Sequence, residues 1–406
     1  MSLAENPWDL PSARAFLTEA AELLADGGGV IVGGTSMPGA LPKALETYLR
    51  ARLGGHFIRV LVPEPATPPA QTVATLFGSN ASDVEGLVRD DSLMDHVLLV
   101  DLPNSGANAA PWTVFLRRFL VSRQSAGSYF SILLISPSPL ENAEGLPVLA
   151  WGGRLQRIDV SIWADLHVPL GRIEPLASLA EALSVELGAW RLDLAGAIAG
   201  APTEDLLQPM KFLESWGGAA IHEADFLSGV EIECSTALLE RGAQLELNHR
   251  IWRAQLRAFF PWIEELRQWV IERHRKLLVV DQEQQRLGVR TLEDIEFGGI
   301  ARQLRSKVAP VEADLLGALA RLRNDLAHHK PVESGDMWLV LQSLKGLRFR
   351  RACESAKPVV HSHRVADRSA MSASMSRGQP SSENSSQYGR PCKGNLDQCL
   401  TCSLQS

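Results

Sequence analysis
Cysteine, tyrosine and long apolar runs are all scarce in this chain. Of 406 residues only five are cysteine, and Cys392, Cys399 and Cys402 crowd together near its end. That distribution does not make a disulfide framework, and a reducing compartment fits it. Cys399 and Cys402 have zinc-type spacing, but only Cys392 and the distant His361 and His363 remain to complete a set, so no metal or other cofactor is expected. No run approaches the roughly 20 apolar residues of a membrane span. The start, MSLAENPWDL, has no basic stretch leading into an apolar core. A cytoplasmic protein without membrane contact is the expectation. The nucleophile elbow G-x-S-x-G is also missing, which removes the usual footing for Ser-His-Asp catalysis.

What is present divides the chain into zones. Residues 1–170 alternate near-continuous apolar runs (29–33, 57–62, 96–101 and 129–136) with amphipathic segments, the pattern of a parallel sheet covered by helices on both faces. Residues 171–235 read as a helical connector broken near Gly200 and Pro202, and residues 236–352 as an all-α domain. The tail, 353–406, is rich in Ser, Gly, Asn and Gln. It holds too little apolar surface to offset the entropy of ordering, so disorder is expected there. Charge is uneven. The net −7 conceals 19 Lys and Arg against 13 Asp and Glu in residues 250–351, a balance of +6 against −13 elsewhere. The helical domain is thereby suited to a polyanion that the whole chain would repel.

After the first apolar run, Gly34 and Gly39 bracket a G-x-x-x-x-G turn, Asp101 closes the third run and Ser136 the fourth. This half resembles a P-loop nucleotide-binding domain with two departures. Ala40 and Leu41 stand where the family has the phosphate-binding Lys and the magnesium-holding Ser or Thr. Leu102 and Pro103 follow Asp101 without an acidic neighbour to activate water. The resemblance therefore implies a degenerate loop in which Gly34, Gly39 and Asp101 hold a nucleotide weakly without hydrolysing it. A Gly-rich turn of any doubly wound sheet explains the same glycines. Lys43, one turn on, is expected to face solvent.

Residues 323–328 read Arg-Asn-Asp-Leu-Ala-His, followed by His329, Lys330 and Pro331. On a helix, Asn324 and His328 are i and i+4 neighbours, so the amide is placed to orient the imidazole while Arg323 reaches a phosphate. Pro331 stops the helix, and a second one is expected from Asp336 as N-cap to Arg351. This stretch resembles the signature of the HEPN superfamily, and residues 292–301 look like the helix that precedes it. The resemblance implies metal-independent RNA cleavage with Arg323, Asn324 and His328 as catalytic residues and His329 as a possible second proton-transfer group. It further implies a homodimer, RNA as partner, a regulatory protein partner or domain, and a setting in bacterial phage defence or toxin-like growth arrest. A non-catalytic RNA-binding or protein-interaction module is the alternative. Trp252, Phe259, Phe260, Trp262 and Trp269 fall at helical spacing as core or dimer-contact residues. His249 and His274 flank that helix without an evident partner.

Overall fold
The computed structural model describes residues 6–54, 56–64, 67–102, 106–126, 130–218 and 224–346, all within one unit spanning 1–352. The tail and its cysteines lie outside the described residues, as does Pro103.

Helix α1 (Pro11–Ala25) leads into β1 (Gly28–Val32), α2 (Leu41–Leu53), β2 (Phe57–Leu61), α3 (Pro69–Phe77), α4 (Val84–Arg89), β3 (His96–Asp101), α5 (Gly106–Ala126), β4 (Ser131–Ser136) and β5 (Val148–Ala150). The five strands form one parallel sheet in the order β2-β3-β4-β1-β5. Alternation along the strands sends neighbouring side chains to opposite faces. Ile31, Val97, Leu99 and Leu133 join a core with α1 and α2, while Val30, Leu98, Val100 and Leu134 join another with α3, α4 and α5. Helices therefore cover both faces, which is why β3 and β4 read as unbroken apolar runs. The strand β5 escapes a reading by periodicity, because it is three residues long and Val148 and Ala150 are exposed.

The connection leaving β1 crosses to β2 at one edge, and that leaving β4 crosses to β5 at the other. The carboxyl ends of these neighbouring strands thus flank the switch point of the sheet, where open α/β sheets receive ligands.

Next come α6 (Arg157–His167), α7 (Leu176–Leu183), a π-helical turn at Ser184–Gly188, α8 (Leu192–Gly200), α9 (Thr203–Leu207) and α10 (Pro209–Ser215). A hairpin of β6 (Ala224–Leu227) and β7 (Val230–Glu233) follows, in a region where the sequence pattern predicts only helices. Its turn, Ser228 and Gly229, has positive φ at both positions, matching the twist that two-residue hairpins need.

The chain continues through α11 (Ser235–Glu240), the 31-residue α12 (Gln244–His274), α13 (Gln282–Arg286), α14 (Phe297–Leu304), α15 (Pro310–Ala327) and α16 (Ser334–Gly346). Residues 292–301 are not one helix: a 3-10 turn at Leu292–Asp294 precedes α14. Helix α16 begins two residues before Asp336, which lies in its first turn and pairs bidentately with Arg321 of α15, at 2.9 and 2.6 Å. Helices α7 to α12 and α14 to α16 share a third core. Phe259 and Ile263 are fully buried in it, and Phe260, Trp262 and Trp269 pack against it, so α12 uses its aromatic face within the chain.

Candidate functional site
Two sites predicted from sequence occupy the ends of elements, where backbone groups are left over and side chains are free to act. The first is the C-terminal end of α15. The last helical residue is Ala327, and His328 is the C-cap, its N–H donating to the Asn324 carbonyl at 3.0 Å. His329 follows with φ +60°, its N–H donating to Leu326 O and that of Lys330 to Asp325 O. This is a Schellman ending in which a histidine takes the left-handed position usually given to glycine.

Helix α12 holds this ending in place. Trp252 Nε1 donates to the Leu326 carbonyl at 2.8 Å, and buried Gln255 accepts from the Val332 N–H at 2.8 Å. The Trp252 ring also packs against His329, with centroids 4.5 Å apart, and stacks on His249 at 5.3 Å and 11°. His249 and His329 are exposed, as are Asn324 and His328. Arg323 is half-buried, its Nη2 2.8 Å from Glu296 Oε1.

Arg323, Asn324, His328 and His329 are thus gathered at one helix end, with His249 brought in through Trp252. The Asn324–His328 link is a backbone bond. Neither the Asn324 amide nor the His328 ring bonds another side chain among the described residues. Sequence spacing missed His249, Trp252 and Glu296, because they come from other elements. His274, which the sequence left without a partner, pairs with Glu312 of α15 at 2.9 Å.

The left-handed His329 costs about 1–2 kcal/mol of backbone strain, and its ring contact returns about 0.5–1.5 kcal/mol. Replacing it by glycine, His329→Gly, is expected to change stability by less than about 1 kcal/mol. Denaturant unfolding checks this, and a loss above about 2 kcal/mol would mean that the stack on Trp252 is structural.

The second site is the loop after β1. Gly39, Ala40 and Leu41 share a crevice of about 470 Å³ with Asp101 and Leu102, at the carboxyl end of the sheet. Burial raises the Asp101 carboxyl above its ordinary value. Ala40 is left-handed at φ +60°, Leu41 is buried in the core, and Pro42 removes one N–H from the first turn of α2. Lys43 is exposed.

Several of the loop's donors are already committed. Gly33 N–H donates to Ser136 O, Met37 N–H to Gly34 O, and Ser36 N–H to Asp225 Oδ2 at 3.0 Å. The Thr35 hydroxyl reaches the same Asp225 oxygen at 3.3 Å. Asp225 comes from β6 and is 6% exposed, so the loop holds a buried anion of its own chain. The Ser136 hydroxyl is likewise occupied, by the Ser138 carbonyl at 2.7 Å. On the other side of the loop, Thr35 to Gly39 and Arg191 line a cavity of about 460 Å³.

No protein-family model matches this chain, and no curated protein matches it. No helix among the described residues is long and apolar enough to cross a membrane.

Proposed function
We propose that the helical half acts on RNA as a metal-independent endoribonuclease of the kind its Arg323–His328 stretch resembles, and that the sheet half is a non-hydrolysing regulatory domain. The observation that carries the reading is the α15 ending, where an exposed imidazole and amide lie beside a guanidinium and two further imidazoles. In the reaction the 2′-oxygen attacks the adjacent phosphorus and the bond to the 5′-oxygen breaks, giving a 2′,3′-cyclic phosphate and a 5′-hydroxyl. His328 takes the 2′-OH proton or protonates the leaving 5′-oxygen. Arg323 offsets charge on the phosphorane, and Asn324 holds the imidazole or a phosphate oxygen. The complementary proton transfer falls to His329, to His249, or to His328 of a facing copy in a homodimer. Gel assays on structured RNAs with EDTA test this: cleavage is expected, and a requirement for magnesium would reject the mechanism.

One observation favours a second reading, in which the helical half grips RNA or a regulatory protein without cutting it. Arg323 already forms an ion pair with Glu296, so its charge is partly offset before any phosphate arrives.

For the sheet half, Ala40, Leu41 and the Asp225 carboxylate support binding without turnover. ATP hydrolysis by the full chain is expected to stay at background in a phosphate-release assay. Robust turnover abolished by Asp101→Ala would reject this assignment.

A further inference from the structure
The crevice of about 470 Å³ at the carboxyl end of the sheet is lined by one acid and no base. Asp101 ends β3 in register with Ile135 of β4, and the Leu102 N–H donates to the Ile135 carbonyl at 2.8 Å, so the backbone that carries the carboxyl is fixed. Met37, Leu41, Leu102, Ile135 and Pro137 make the walls apolar.

The Asp101 carboxyl is half-buried and forms no hydrogen bond or ion pair with any other described residue. Burial raises it above its ordinary value, and no positive side chain among the described residues offsets that cost. An unpaired carboxylate in an apolar crevice at the switch point of the sheet calls for a partner from outside the chain.

Charge selects that partner. A phosphate set between Gly39 and Asp101 would meet this carboxyl and no cationic side chain, and the loop already holds the Asp225 carboxylate on its Ser36 N–H at 3.0 Å. Anions are therefore disfavoured. A bare divalent cation takes about six oxygen ligands, of which the lining side chains supply one carboxylate. A quaternary ammonium has no N–H to donate and is held by aromatic faces, and no aromatic residue lines the crevice. What fits is a cation that also donates, an ammonium carried on an apolar body. Met37, with its flexible thioether, can adapt to the shape of that body.

We infer that this crevice binds a small organic amine, its ammonium donating to Asp101 and its apolar body lying against Met37, Leu41 and Pro137. The sheet half thereby gains a ligand other than a nucleotide, and the inference holds whether or not the helical half cuts RNA.

Titration of the full chain with benzylamine, followed at the Met37 methyl resonance and assigned with Met37→Leu, tests it. A saturable shift is expected at millimolar concentration, the range for so small a ligand. Benzyl alcohol, benzoate and benzyltrimethylammonium keep the ring but lack the charge, its sign or the N–H, and each should bind at least about tenfold more weakly. Asp101→Asn keeps the shape of the side chain and removes its charge, so it should weaken benzylamine at least about tenfold. Because the carboxyl has no partner in the folded chain, the same variant should keep or raise the thermal midpoint, where a structural carboxylate would lower it. No saturable shift by about 20 mM, equal affinity for benzyl alcohol, or wild-type affinity in Asp101→Asn would overturn the inference. Displacement of benzylamine by ATP would put phosphate in the crevice and overturn it as well.

Discussion

Replacing His328 by alanine is expected to lower RNA cleavage by about 10²–10⁴-fold, the usual worth of a positioned general acid or base. Arg323→Ala should lose about 10²–10³-fold, since it removes charge stabilisation made mainly in the transition state. Both residues lie at the surface end of α15, and neither is fully buried, so circular dichroism and thermal midpoints should stay close to wild type. Equal activity in wild type and both variants would remove the α15 ending from the chemistry. Mixing His328→Ala with Arg323→Ala chains separates the sources of the second proton-transfer group. Recovery of activity in the mixture shows that a site is shared between copies. With no recovery, loss in His329→Ala or His249→Ala identifies a pair within one chain. Because Phe259 and Ile263 are buried and Trp262 and Trp269 pack on the same core, a facing copy would have to meet this chain through something other than the aromatic face of α12.

Sequence reading succeeded where one element carries its own signal. The strands of the sheet were legible because burial on both faces leaves unbroken runs of Val, Ile and Leu, and a 3.6-residue period marked the helices. The departures at Ala40 and Leu41 were legible too, since a phosphate cation and a metal hydroxyl have no substitutes of those types. The structure adds a partner of the loop that spacing does not carry: Asp225, 189 residues beyond Ser36, accepts from the Ser36 N–H. The hairpin that delivers it was hidden in a region read as helical, although Ser228 and Gly229 between two short alternating segments were its visible trace.

The α15 ending divides in the same way. Arg323, Asn324 and His328 are close in sequence and were found together. His249, Trp252 and Glu296 are brought there only by packing of α12 and α14, and periodicity gives no hint of which exposed histidine will stack on which tryptophan. Pro331 marks a stop, but the left-handed His329 ends α15 already at Ala327, so Asn324 meets His328 through the backbone rather than along a continuing helix face.

Trp151→Ala is expected to destabilise the protein by about 3–5 kcal/mol, the range for losing a large buried aromatic side chain. Trp151 follows β5 directly and is fully buried, edge-on to Trp8 at 5.4 Å and to Phe16 at 5.0 Å. Its Nε1 donates to the Ser36 hydroxyl at 3.0 Å, so the same side chain closes the core under α1 and anchors the loop after β1. Trp151→Phe separates these roles. It keeps most of the ring contact but leaves Ser36 Oγ without its donor, and should cost about 1–2 kcal/mol. Urea unfolding followed by circular dichroism measures both, and a loss below about 1 kcal/mol for Trp151→Ala would show that the core there collapses around the gap. The Phe variant also bears on the loop. With Ser36 N–H still held by Asp225 and Gly39 O still held by the Trp8 indole at 2.9 Å, the loop should keep its path, and ATP turnover should remain at background even though one of its anchors has gone.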